Sequence, residues 1–217
     1  MNDLIEQYLR SVLLINNKIN LTNIRNFEEA KLLHIEDSLA VIKELNEAPK
    51  GLYGDMGSGG GFPGVPLGVV SGRNTILIDS VKKKMAAINQ ILTDLGLSEH
   101  ISVCDQRIEE LSLEKKEEFS VLTARALSNL SSLLELASPL LKIGGRLICL
   151  KSHTDEELKA AKQIKKETGM SFLSKRSYIL SDDKTYRECI VFEKVTQPSI
   201  QLPRRVGLAQ KKPLISK

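Results

Sequence analysis

The stretch GDMGSGGGFPGVPLG, residues 54–68, places seven glycines and two prolines within fifteen residues. Glycine packs nothing and loses the most backbone freedom on folding. A chain concentrates it where the backbone turns tightly or where a ligand comes close. The segment just before it, LYGDM (52–56), reads as a short buried strand, and VPLGVVS (65–71) as a helix after the glycines. A strand, a glycine loop and a helix open a pattern that continues to the end of the chain.

Working outward from that loop, TILIDS (75–80), ISVCD (101–105), SVLTAR (120–125) and RLICLK (146–151) are further strand candidates. The spacing predicts helices over 81–97, 130–145 and 154–169, the first with Met85, Ile88, Ile91, Leu92 and Leu95 on one face. RSYILS (176–181) and ECIVFEK (188–194), joined by a polar turn, read as a closing hairpin. Strands alternating with helices imply a parallel sheet covered on both faces. The expected fold is therefore α/β and Rossmann-like, a mainly parallel seven-stranded sheet with an antiparallel last strand. Ahead of it, apolar residues at helical spacing from Leu4 to Leu13 predict one helix. Asn26 and Glu29 have the spacing of a capped start for a second, running to about Leu45. Residues 1–48 thus read as a helical cap, 49–196 as the main domain and 197–217 as a tail.

The bulk composition, 41% hydrophobic and 27% charged, is that of a globular protein. No apolar run approaches the roughly 18 residues of a membrane span, and the first residues lack a secretory pattern. A cytoplasmic monomer without membrane contact is expected. Cys104, Cys149 and Cys189 form no CxxC pair, and His34, His100 and His153 have no metal-ligand spacing, so no metal site is expected. The net charge of +4 is local. Residues 197–217 carry Arg204, Arg205, Lys211, Lys212 and Lys217 and no acid, leaving 26 basic and 27 acidic side chains elsewhere. Such a tail is either a solvated end or a phosphate-binding arm.

In a doubly wound sheet, ligands sit beyond the carboxyl ends of the strands where the strand order reverses, which is where this loop emerges. A mononucleotide loop is excluded because no Gly-Lys-Ser/Thr follows the glycines. Gly59, Gly61 and Gly64 match the GxGxxG of a dinucleotide loop, a pattern that is weak alone. Read two residues earlier, the pattern is Asp55-x-Gly57-x-Gly59-x-Gly61. An acid beside a pyrophosphate would be repelled, whereas S-adenosylmethionine carries a sulfonium and an ammonium. Asp79, at the end of the second strand and 22 residues after Gly57, is placed to accept from both ribose hydroxyls of an adenosine cofactor.

The segments DMGSGGGFPGVPL, LIDSVKKK, RIEE, TARAL, LPRRVGLAQKKPL and NLTNIRNFEEAKLLHIEDSL together resemble the bacterial small-subunit rRNA guanine-N7 methyltransferases, formerly called glucose-inhibited division protein B. The matches run from residue 20 to residue 214, with Leu202 standing where the family often shows an aromatic. The resemblance implies a class I methyltransferase fold with an N-terminal helical cap, S-adenosylmethionine as cofactor, and methylation of one guanine of 16S rRNA in the small ribosomal subunit. It also implies cofactor contacts at Gly57, Phe62, Ile108, Glu109 and Arg125.

Guanine N7 holds a lone pair and no proton, so its methylation needs no general base. Catalysis then rests on alignment and water exclusion. Arg125, at the mouth of the sheet, is the candidate catalytic residue, able to donate to guanine O6 or to a phosphate. Lys83 and Arg107 project from the same edge and are candidate RNA contacts, together with Arg204, Arg205, Lys211 and Lys212 of the tail. His34 and Asp37 lie one helical turn apart and are expected to pin the cap to the main domain. The alternatives are a methyltransferase acting on a small molecule or a protein, and an RNA-binding protein that retains the methyltransferase fold.

Overall fold

The computed structural model describes residues 2–215; Lys217, counted above with the basic tail, lies outside them. In chain order the elements are α1 (Asn2–Asn16), α2 (Phe27–Ala30), a π-helical turn (Lys31–Glu36), α3 (Asp37–Leu39), α4 (Ile42–Glu47), β1 (Tyr53–Met56) and α5 (Gly64–Ser71). They continue with β2 (Thr75–Ile78), α6 (Lys82–Asp94), β3 (Ile101–Cys104), α7 (Ile108–Glu114), β4 (Phe119–Arg125), α8 (Leu130–Ala137) and β5 (Leu141–Lys151). The chain ends with α9 (Asp155–Gln163), α10 (Lys165–Thr168), β6 (Met170–Ile179), β7 (Tyr186–Lys194) and α11 (Leu208–Lys211).

The strands form one seven-stranded sheet in the order β3-β2-β1-β4-β5-β7-β6. β1 through β5 pair in parallel, and β7 runs antiparallel between β5 and β6. The mixed sheet expected from the alternating pattern is therefore present. Central β1 is buried along its whole length, as a parallel strand covered on both faces must be. The strand order reverses between β1 and its two neighbours β2 and β4, so a crevice opens at their carboxyl ends.

The layers follow from helical periodicity. α1 turns Ile5, Tyr8, Leu9 and Val12 to one side, where they pack with Phe62, Met85, Ile88 and Leu92. Val41, Leu45 and Ala48 pack on Tyr53, Val121, Ile148 and Val191 of the sheet. The opposite face is covered by Leu111 of α7, by Leu130, Leu133, Leu134 and Ala137 of α8, and by Ala209 of α11.

Five segments differ from the sequence expectations. The helix expected over 154–169 is broken at Ile164 into α9 and α10. The helix expected over 130–145 ends at Ala137, because Pro139 lacks the N–H that helix continuation requires. Leu141 already starts β5, and Gly144, at φ +81, lies within that strand where its register with β4 shifts. The second N-terminal helix is broken by the π turn and again at Ala40–Val41. α7 is a helix where the sequence pattern signals none. β6 begins at Met170, six residues before the expected RSYILS.

Candidate active site

The site begins where β1 gives way to the glycine loop. The N–H groups of Gly57 and Ser58 donate to the Ile78 carbonyl at 2.8 and 3.1 Å, tying the loop to the end of β2. Gly57 has φ +69, a conformation that favours glycine, and a Cβ there would lie 2.7 Å from Leu127 Cδ1, so that side chain would have to shift. Asp79 then fastens the loop from the other side. Its Oδ2 accepts from Gly59 N at 3.0 Å and its Oδ1 from Val81 N at 2.9 Å. One carboxylate thus fixes the loop and the entry to α6. It retains lone pairs for a further donor.

Two adjoining hollows share Gly57, Asp79 and Leu127. One is lined by Ile78, Ser80, Arg107, Ile108, Glu109 and Gln210. The other is lined by Thr22, His34, Ser58, Gly59, Phe62, Lys84, Arg125 and Ala126. A third opening shares His34, Arg125 and Ala126 with the second and runs outward past Leu150, Lys151, Ser152 and Arg187. The three hollows adjoin one another along the carboxyl edge of the sheet, from β3 to β5, each sharing walls with the next. The N-terminal segments wall the middle of this cleft.

Arg125, the last residue of β4, is the centre of that wall. Its Nη1 donates to the Leu33 carbonyl at 2.8 Å and to Asp37 Oδ2 at 3.0 Å, and its Nη2 to His34 Nδ1 at 3.2 Å. Because guanidinium has no acceptor, His34 Nδ1 must be the unprotonated nitrogen, and Nε2–H donates to Thr22 Oγ1 at 2.7 Å. Burial and the Arg125 charge push the His34 imidazole down to about 4, so it is neutral near pH 7. Its ring stacks on Phe62 at 4.6 Å, and Phe62 meets Tyr8 edge-on. Arg187 Nε lies 3.3 Å from the other oxygen of Asp37. The expectation that His34 and Asp37 hold the N-terminal segment to the sheet agrees with these bonds. The π turn carries Leu33 and His34, and Asp37 follows immediately; such turns concentrate at functional sites. Ala126 adopts φ +54, a left-handed conformation costing roughly 1–2 kcal/mol for an L-residue, right where the cleft turns.

Of the residues singled out from sequence, Gly57, Gly59, Phe62, Asp79, Ile108, Glu109, Arg125 and Arg107 all line this cleft. Asp55 does not. It is fully buried, its Oδ2 accepting from Gly64 N at 3.0 Å and its Oδ1 from Thr123 Oγ1 at 2.7 Å. The direct cofactor contact expected of Asp55 is therefore corrected: it clamps the helix after the loop to β4. Desolvation pushes its carboxyl up to about 7. Lys83 is exposed on α6 and does not line the hollow, where Lys84 stands instead.

Arg204 is a second correction. It is not a free RNA contact, because its fork is committed to buried Glu135 at 2.7 and 2.6 Å. Arg205, Lys211 and Lys212 are exposed. Sequence reasoning misses Thr22, Leu127, Lys151, Arg187 and Gln210. For Lys84, the helical phase of the VKKK run separates it from Lys83; the others carry no local signal.

This fold, with a glycine-lined cleft at the switch point and an acid at the end of β2, defines a class I methyltransferase. A tRNA methyltransferase of B. subtilis superposes with a TM-score of 0.55 at 18% identity, over 79% of this chain and 72% of that one. A geranyl diphosphate C-methyltransferase from Streptomyces coelicolor, solved with S-adenosyl-L-homocysteine, gives 0.53 at 12% identity over 73% and 76%. These likenesses are of fold. The chain belongs to the family described as rRNA small subunit methyltransferase G (GidB), whose model matches residues 1–179. It is 34% identical to the Ribosomal RNA small subunit methyltransferase G of Carboxydothermus hydrogenoformans, over 97% of this chain and 91% of the relative.

Proposed function

We propose that the protein transfers the methyl group of S-adenosylmethionine to N7 of a guanine in 16S rRNA of the small ribosomal subunit. The observation that carries this reading is the row of three adjoining hollows at the carboxyl edge of the sheet. Its β2–β3 end offers the Asp79 carboxylate for the ribose hydroxyls and the Ile108 side chain for the adenine. Its middle offers the bare backbone of Gly57 and Gly59 for the amino-acid moiety. Its outer end is lined by Arg125, Lys151 and Arg187, three cations against the carboxylates of Asp37 and Glu157, an excess of positive charge that favours an anionic substrate.

Aligning N7, methyl and sulfur in one line is the main task, and the sulfonium needs no further activation. The nearest histidine is neutral and occupied on both nitrogens by Thr22 and Arg125, so it is not free to act as a base. N7 asks for none. Arg125 retains its Nε–H and one Nη2–H beyond the bonds described, enough to hold guanine O6 while leaving N7 open. The test is to incubate the protein and S-adenosylmethionine with unmodified small subunits and with free 16S rRNA. Digestion to nucleosides and mass spectrometry should show 7-methylguanosine. N1- or N2-methylguanosine, or unmodified RNA, would overturn the reading.

A further inference from the structure

The C-terminal segment folds back onto the cofactor end of the cleft. Arg204 pairs with Glu135 on α8. The Gly207 N–H donates to Glu109 Oε1 on α7 at 2.7 Å. The carbonyl of buried Ala209 accepts from Ser132 Oγ on α8 at 2.7 Å. These anchors fix the backbone immediately before Gln210. That residue stands on the wall of the hollow lined by Asp79, Ile108 and Glu109. Its carboxamide makes no hydrogen bond among the described residues. Gln106, the other amide at this hollow, already gives its NH2 to Glu114 at 3.0 Å.

We propose that Gln210 is a cofactor-contacting residue that meets the edge of the adenine. The C-terminal segment thereby completes a site otherwise built from the ends of β1, β2 and β3. The inference rests on the S-adenosylmethionine reading above. Its chemistry is complementarity: a carboxamide offers one acceptor and two donors on adjacent atoms, and adenine presents an amine beside a ring-nitrogen acceptor. An anchored backbone lowers the entropy lost when that pair forms.

The test compares S-adenosylhomocysteine with its analogue lacking the 6-amino group, by calorimetry, on the full-length protein. Gln210→Ala should weaken S-adenosylhomocysteine by about three- to tenfold, the range for one net hydrogen bond. Its thermal midpoint without ligand should stay at the wild-type value, since Gln210 is exposed. Loss of the 6-amino group should cost the wild type at least about threefold more than it costs Gln210→Ala. Gln210→Glu, which keeps an acceptor for the amine, should retain most of the amine preference. Equal amine penalties in wild type and Gln210→Ala would overturn the assignment while leaving the cofactor intact. Failure of the wild type to bind S-adenosylhomocysteine at all would instead overturn the cofactor reading, and this inference with it.

Discussion

The Arg125 guanidinium lies 3.0 Å from Asp37 Oδ2, joining the last residue of β4 to the turn that follows the π helix, 88 residues earlier. The same nitrogen holds the Leu33 carbonyl, and its neighbour holds His34. A positive charge is thereby fixed where the cofactor hollow opens into the outer cleft. Arg125→Ala removes three hydrogen bonds, but Asp37 keeps Arg187 and Tyr178 beside it. The loss of stability should be about 1–3 kcal/mol, below that of a wholly orphaned buried charge. Denaturant unfolding measures it. Methyl transfer should fall at least about tenfold. Arg125→Lys should recover part of the stability but not the activity, because an ammonium cannot reproduce the planar fork. Full activity in Arg125→Lys would show that charge alone suffices.

His34 makes stability depend on pH in a defined direction. Its folded-state value is lowered to about 4 from an ordinary value near 6.5, so the unfolded chain takes up the proton first. The stabilisation is complete above about 6.5 and is lost as pH falls toward 4, each unit being worth about 1.4 kcal/mol. Asp55 acts oppositely: with its carboxyl raised to about 7, its contribution is present at low pH and lost as pH rises through about 7. The difference between wild type and His34→Gln isolates the imidazole. That difference should shrink between pH 6.5 and 4. A constant offset across the range would contradict a buried neutral histidine.

Asp79 should matter for ligand more than for fold. In Asp79→Ala the Gly59 and Val81 N–H groups lose their acceptor, and, on the proposed cofactor placement, the ribose loses a charged partner. Cofactor affinity should drop by about 1–3 kcal/mol, with Asp79→Asn intermediate. Calorimetry with S-adenosylhomocysteine reads this directly. An unchanged Kd in Asp79→Ala would place the ribose elsewhere.

The strands and the glycine loop are legible in the sequence because their signals are local. Buried parallel strands read as short apolar runs, and the positive φ of Gly57, Gly59 and Gly61 favours glycine. Asp79 is legible through its spacing from the loop. Asp55 misleads because sequence shows a carboxylate near a loop and not which way it turns. Its partners Thr123 and Gly64 come from β4 and α5. Arg204 misleads for a related reason. A run of cations looks solvated until the single buried acid that claims one of them, Glu135, is brought within reach by the fold. The π turn leaves no mark beyond His34 and Asp37, and the Arg125 that bonds its Leu33 carbonyl comes from distant sequence.

The C-terminal segment separates two roles that its charge alone would merge. Removing residues 203–217 takes away the Arg204–Glu135 pair, the Gly207–Glu109 bond, the Ala209–Ser132 bond and the packing of Leu214 against the main core. Glu135 is then left buried without its cation. The thermal midpoint should fall and S-adenosylhomocysteine should bind more weakly, both in the same protein. Replacing Arg205, Lys211 and Lys212 with Gln is a different perturbation, because all three are exposed and make no ion pair among the described residues. Midpoint and cofactor affinity should then hold at wild-type values. If these cations meet rRNA phosphates, the slope of log affinity against log salt should become shallower by about 0.7–0.9 for each phosphate no longer neutralised. A triple variant with an unchanged slope would reduce the segment to its structural role at the cofactor cleft. A truncated protein with the wild-type midpoint would show that the anchors to α7, α8 and the main core are not held in solution.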